Sequence, residues 1–186
     1  MRLFTALDLP PAVVRALEAL LDRLRPAARL KWSPPANLHI TTRFIGEWPG
    51  ERLSDLHAAL AKIPNHPPIP ISIRKLGFFP NPHSPRVFWA GIEAPPDLAA
   101  LAAETDRALA PLGLQPEGRP FSPHLTLARL KEPVPLVELR ETIAALPSLE
   151  FGSFTADRFF LYQSRLDPTC SVYTKLAEFP FAPALS

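Results

Sequence analysis

Leu38-His39-Ile40-Thr41-Thr42-Arg43-Phe44 and Pro123-His124-Leu125-Thr126-Leu127-Ala128-Arg129 decide how this chain is read. Each is a short run rich in apolar and β-branched residues, with His-x-Thr near its start. Such a run reads as a strand, and alternate side chains of a strand share one face. His39 and Thr41 therefore point one way, as do His124 and Thr126. Ile40 and Leu125 point the other way, into the core. Each tripeptide offers one proton-transfer group and one hydroxyl to the same patch of space. Arg129 follows His124 at an odd spacing, so a regular strand sends it to the opposite face. It reaches the patch only through a bulge or at the strand end.

The surrounding elements repeat. Arg2–Leu9 alternates and reads as a strand stopped by Pro10-Pro11. A helix at 11–26, the strand from His39, a helix at 51–63 and a strand from Ile69 make up the first half. A helix at 96–112, the strand from His124, a helix at 135–146 and a strand from Leu149 follow in the same order. Leu30–Trp32 is a short extra strand. Ile69–Phe79 and Arg86–Ile92 form a hairpin around a proline-rich turn, and Arg158–Gln163 and Ser171–Phe179 close the chain. The two histidines lie 85 residues apart. This is a repeat of architecture with little identity, and two copies are too few for a solenoid. The expectation is an α+β fold of two similar lobes related by a pseudo-two-fold axis. Each lobe is a mostly antiparallel sheet with helices on its outer face, and the cleft lies between the lobes. Residues 1–186 form a single bilobal domain in this reading, with its motifs at 39–42 and 124–127.

An axis of that kind makes neighbours of the two histidines. Two imidazoles and two hydroxyls around one cleft suit in-line displacement at phosphorus. One imidazole takes a proton from the attacking oxygen and the other protonates the leaving oxygen. Near neutrality both protonation states of histidine are populated. Thr41 and Thr126 can donate to the non-bridging oxygens as charge grows there. This chemistry needs neither metal nor cofactor.

Composition narrows the field. The chain has 186 residues, 47% apolar and 20% charged, enough for a core without disulfides. One cysteine, Cys170, rules out a multi-cysteine metal site. No apolar run approaches the ~20 residues of a membrane span, and the start lacks a secretory signal. A soluble, cytoplasmic, monomeric protein is expected. Arginine outnumbers lysine 15 to 5, beside 25 prolines, 3 asparagines and 2 glutamines. That pattern is thermophile-like, and the net charge of +2 is too small for binding RNA by bulk electrostatics.

With Lys31-Trp32, Asn37-Leu38-His39-Ile40-Thr41-Thr42-Arg43-Phe44-Ile45-Gly46 and Pro120-Phe121-Ser122-Pro123-His124-Leu125-Thr126-Leu127-Ala128-Arg129, the chain resembles the 2H phosphoesterases. It is most similar to the bacterial and archaeal RNA 2′,3′-cyclic phosphodiesterases, also called the 2′-5′ RNA ligase family. Arg2–Pro10, Gly77–Pro80, Pro85–Gly91 and Leu161–Tyr173 carry the resemblance over nearly the whole length. The resemblance implies hydrolysis of RNA 2′,3′-cyclic phosphate ends to 2′-phosphates, and in some members ATP-independent 2′-5′ joining of tRNA halves. It implies His39 as proton donor to the leaving 3′ oxygen and His124 as the base that activates water. Thr41, Thr126 and Arg129 would bind the phosphate, with no cofactor. Phe4, Trp32 and Phe121 are the aromatic candidates for stacking on a base, each also suited to the core. His57 flanks the apolar stripe of its helix as a surface residue, His66 lies in a proline loop with no partner at motif spacing, and His83 lies in the hairpin turn with Arg86 nearby. Two competing readings remain: a relative acting on a small cyclic nucleotide or nucleotide-sugar cyclic phosphate, and a non-catalytic RNA-binding module. Two titratable groups at one phosphate favour the enzyme.

Overall fold

A computed structural model describes residues 1–182. Its strands form a four-stranded sheet and a five-stranded sheet, with every pairing antiparallel. The first, in the order β3-β1-β8-β9, joins β1 (Arg2–Leu7), β3 (Ile40–Glu47), β8 (Arg158–Leu166) and β9 (Ser171–Pro180). The second, in the order β2-β6-β5-β4-β7, joins β2 (Lys31–Trp32), β4 (Ile69–Phe79), β5 (Val87–Glu93), β6 (His124–Arg129) and β7 (Glu150–Ala156).

The pseudo-two-fold is visible in register. β1 and β5 begin 85 residues apart, and so do α1 (Pro11–Leu24) and α3 (Pro96–Leu109). Leu7-Asp8-Leu9-Pro10-Pro11 and Ile92-Glu93-Ala94-Pro95-Pro96 introduce the two helices. Proline at the first helical position costs no hydrogen bond, because that N–H has no partner within the helix. Val13, Leu17, Leu20, Leu21 and Leu24 are the buried stripe of α1, and Leu98, Leu101, Ala102, Thr105 and Leu109 that of α3. Truncating a buried leucine such as Leu17 to alanine costs ~2–5 kcal/mol. Both helices end in a 3₁₀ turn holding a proline, Arg25–Ala27 and Ala110–Leu112. Gly113, at φ 92°, closes the second with the left-handed conformation that glycine adopts without steric cost.

Sheet position corrects one equivalence expected from element order. The strand from Ile69 matches β8, not the strand from Leu149. β4 lies beside β5 as β8 lies beside β1, while β7 and β9 are the outer strands. The helices also trade sheets. α1 follows β1 but packs against β7 and α4 (Val137–Ala144), and α3 follows β5 but packs against β3 and α2 (Leu53–Ala61). Each lobe thus takes strands and helices from both halves of the chain. One continuous core runs through both, from Leu3 and Leu7 through Leu56, Ile71, Phe88 and Leu125 to Phe159. A smaller cluster of Phe4, Ala6, Phe160 and Tyr162 covers the other face of the four-stranded sheet.

Candidate active site

His39 immediately precedes β3 and His124 opens β6. The neighbouring Ile40 and Leu125 are fully buried, which fixes both His-x-Thr pairs on the opposite face. The rings are anchored alike. His39 Nδ1 donates to the carbonyl of Asn37 over 2.7 Å, and His124 Nδ1 donates to the carbonyl of Ser122 over 2.8 Å. A carbonyl only accepts, so the proton sits on Nδ1 and Nε2 is the nitrogen left for chemistry. His39 Nε2 lies 2.9 Å from Thr41 Oγ1.

Both strands bulge at the same place. Between β1 and β3 the register steps from Thr5↔Arg43 to Ala6↔Thr41, leaving Thr42 as the extra residue. Between β5 and β6 it steps from Phe88↔Ala128 to Trp89↔Thr126, leaving Leu127 extra. Thr42 is buried and its hydroxyl meets that of Thr5 at 2.7 Å. The added residue reverses the alternation beyond it. Leu127, Ala128 and Leu130 are all buried, and exposed Arg129 returns to the face of His124 and Thr126. The same step brings out Phe44, the residue equivalent to Arg129, which is 60% exposed. Period-two reading missed Phe44, whose signal was its place five residues after a histidine, the place Arg129 holds in the other half.

The two histidines sit in unlike surroundings. The His39 ring stacks on Phe4 at 4.8 Å and meets the edge of Tyr173 at 5.2 Å. Phe4 in turn stacks on Tyr162 at 5.3 Å. Asp8 accepts from the Tyr162 hydroxyl and pairs with Lys175. Burial and the Asp8 carboxylate hold the Tyr162 phenol well above its usual range. A cavity of about 470 Å³ opens beside His39, lined by Asp8, Asn37, Tyr173 and Lys175 among others. Burial pushes His39 below the ordinary histidine value. The Asn37 carbonyl and Asp8 pull it back up, and the charges of Arg129 and His124 push it down again. β3, which follows His39, packs against β6, the strand of the other sheet that carries His124 and Arg129. Among the described residues the one aromatic ring against His124 is the edge of Phe79, at 5.2 Å, and Phe79 leans on Trp89 at 5.3 Å. Where Tyr162 faces Phe4 across the strands, Gly77 faces Trp89, and a Cβ there would fall 2.2 Å from the indole ring.

The family signature that matches residues 10–168 is that of the 2′-5′ RNA ligase superfamily. The chain belongs to that superfamily. A protein of Methanothermobacter thermautotrophicus named RNA 2′,3′-cyclic phosphodiesterase is 34% identical over 180 residues, 96% of this chain and 97% of that one. A protein of Thermus thermophilus with the same name is 37% identical, covering 96% of this chain and 89% of the relative. The crystal structure of TT0787 of Thermus thermophilus superposes with a TM-score of 0.83 at 34% identity, covering all of both chains. The two-lobed α+β superfamily fold is the one expected from the paired motifs.

Within this superfamily member, the other sequence candidates lie elsewhere. Trp32 turns to the core, its indole donating to the Ala28 carbonyl at 3.1 Å and meeting Phe88 edge-on. Phe4 is buried beneath His39, and Phe121 packs partly buried against the main core, so neither stands out as Phe44 does. His66 has a partner that spacing could not reveal: it is buried and bonds Glu104 of α3. His57 is exposed with its ring against Phe179, and His83 is exposed in the hairpin turn. Among the described residues no helix is long and apolar enough to cross a membrane.

Proposed function

We propose that this protein hydrolyses RNA 2′,3′-cyclic phosphate ends to 2′-phosphates, with His39 as acid and His124 as base. The observation that carries the reading is the matched anchoring of the two rings. In each, Nδ1–H is held by the carbonyl two residues back, which leaves Nε2 for chemistry; His39 Nε2 lies 2.9 Å from Thr41 Oγ1, and Thr126 shares the strand face of His124. The named activity of the Methanothermobacter and Thermus relatives supports the same conclusion.

The reaction follows from that geometry. Water attacks phosphorus and gives its proton to His124 Nε2. The P–O3′ bond breaks, and the departing O3′ takes the proton on His39 Nε2. The 2′-phosphate stays behind, and proton exchange with solvent resets both rings. Thr41, Thr126 and the Arg129 guanidinium face the non-bridging oxygens, where donors aimed at developing charge act most strongly. His39 is held low in the free protein. The negative phosphate restores its proton affinity on binding, because a nearby opposite charge favours the imidazolium. If the 5′-hydroxyl of a second RNA replaces water, the same displacement yields a 2′-5′ linkage without ATP, as tRNA halves would require. Motifs from both halves meet at one phosphate, so the chain works as one bilobal domain, a cytoplasmic monomer without metal or cofactor.

Phe44 is the surface for the base of the terminal nucleotide. Its ring lies 6.3 Å from Phe4, which carries His39, so a stacked base has the ribose oxygens within reach of the acid. Its backbone is fixed by the buried Arg43 guanidinium, which donates to the Phe44 carbonyl and to Asp106 of α3.

Hydrolysis of a dinucleotide ending in a 2′,3′-cyclic phosphate, followed by chromatography against authentic 2′- and 3′-phosphates, tests the reading. The expected product is the 2′-phosphate alone, formed undiminished in EDTA. A 3′-phosphate or a mixture overturns the assignment of donor and acceptor. Binding without turnover replaces the enzyme with the RNA-binding module.

A further inference from the structure

β2 contributes only two residues, and their register sets up an uncommon contact. Lys31 lies directly opposite Arg129, and Trp32 opposite Ala128. Directly opposed residues share a face, so Lys31 stands beside Arg129 on the side of His124 and Thr126, while Trp32 goes with Ala128 into the core. Two residues beyond this pair, just outside the two strands, lie Arg29 and Lys131. All four side chains are exposed. Among the described residues none of the four enters an ion pair, and the neighbouring Glu132 pairs with none of them. Like charges opposed across strands destabilise a sheet unless something neutralises them. An unpaired cationic ribbon that starts at the phosphate site is arranged for a row of anions.

We infer that Arg29, Lys31 and Lys131 continue from Arg129 as a track for the phosphodiester backbone of the RNA strand that ends in the cyclic phosphate. The opposite sheet offers nothing similar. There the residues equivalent to Arg129 and Lys31 are Phe44 and Pro116, and the acidic Glu117 follows and approaches Arg43. The track thus gives the strand a polarity: base stacked against the four-stranded sheet, backbone led away over the edge of the five-stranded one. This inference rests on the reading of the substrate as RNA and adds that an oligonucleotide end is preferred to a mononucleotide.

The test uses Arg29→Ala/Lys131→Ala and Lys31→Ala in the full chain, with Arg29→Lys/Lys131→Arg as the charge-conserving control. A labelled single-stranded pentanucleotide ending in a 2′-phosphate is titrated by anisotropy at several salt concentrations. The KM of a cyclic mononucleotide is compared with that of a pentanucleotide with a cyclic end. Both charge-removing variants should bind the pentanucleotide ~10-fold more weakly, with a salt slope shallower by ~0.7 per lost phosphate contact. Mononucleotide turnover should be unchanged, and the control should bind as the native chain does. Unchanged pentanucleotide affinity and slope overturn the track, as does equal loss on both substrates. Loss confined to 2′-5′ joining with a 5′-hydroxyl strand overturns its assignment to the strand bearing the cyclic end. Because the titration needs no turnover, a protein inactive on both substrates sinks the proposed reaction and leaves the track to be judged by binding.

Discussion

The half-site at His39 and the half-site at His124 use the same parts in different surroundings. Both rings are tied through Nδ1 to a carbonyl two residues back, both strands bulge at the equivalent residue, and both follow the rule His-x-Thr. Around His39 the space is filled by Phe4, Tyr162 and Tyr173. Around His124 the place of Tyr162 is taken by Gly77, and the exposed position five residues on is an arginine instead of a phenylalanine. A symmetric scaffold thus duplicates the two histidines, and substitutions beside them make one half aromatic and the other cationic. In the proposed reaction, that difference gives an asymmetric substrate one orientation.

The largest test of the comparison is removal of its common parts. His39→Ala and His124→Ala should each lower kcat by ~10²–10⁴-fold. The double variant should fall far short of the product of the two losses, since the rings act as a unit. Steady-state rates on a cyclic-ended dinucleotide decide this, and near-native turnover in either single variant removes that ring from the mechanism. Thr41→Ala and Thr126→Ala should cost less, ~10–10³-fold in kcat, as loss of one donor to a developing negative oxygen does. Equal rates for both threonine variants and the native chain would leave phosphate binding to Arg129.

Phe44→Ala probes the aromatic side alone. Lost base stacking of ~1–3 kcal/mol should appear as a KM raised at least several-fold, with kcat little changed. Phe44→Tyr should restore it. A fall in kcat without change in KM would make Phe44 a support for the strand rather than a surface for the base.

The smallest expected effect is a displacement of the pH profile. In the proposed reaction, the productive free enzyme holds a proton on His39 and none on His124. His39 lies below the ordinary histidine value of about 6.5, so that proton is lost as pH rises through the lowered value. The limb of kcat/KM that reports His39 should therefore lie below about 6.5, and the same limb of kcat should lie higher because the bound phosphate favours the imidazolium. Asp8→Asn removes a charge that pulls His39 upward, so it should move the kcat/KM limb further toward acid. A limb that stays put or moves toward alkali contradicts the role of Asp8 and the assignment of that limb to His39.

Much of this site was legible before any coordinates, for a definite reason. Strand alternation is strict over two residues, so His39 with Thr41 and His124 with Thr126 could be placed on one face from spacing alone. It fails over five residues when an extra residue intrudes. Nothing in Thr42 or Leu127 announces a bulge, so Arg129 was placed only conditionally and Phe44 was not singled out. Helix starts were clear at Pro10-Pro11 and Pro95-Pro96, where proline fixes the backbone. Strand partnership was harder. The Ile69 strand resembles the Leu149 strand in its place after a helix, but its place beside β5 makes it the counterpart of β8. Contacts such as His66 with Glu104 depend on two elements meeting in space, which periodicity along one element does not report.

The interleaving of the lobes has a consequence for how the chain is made. β1 is made before every other strand, yet its inner neighbour in the sheet is β8, with Arg2 opposite Ser164. Pairings of such long sequence separation carry a high entropic cost of closure and form late. Until then Phe4 and Ala6 lack the cover of Phe160 and Tyr162, and one edge of β1 stays open to other chains, a known route to aggregation during synthesis. The wall that supports His39 is completed only when β8 and β9 have emerged with Tyr162 and Tyr173. A product terminated before them would carry the first histidine without its seat, so both strands must be made before any copy can act on RNA.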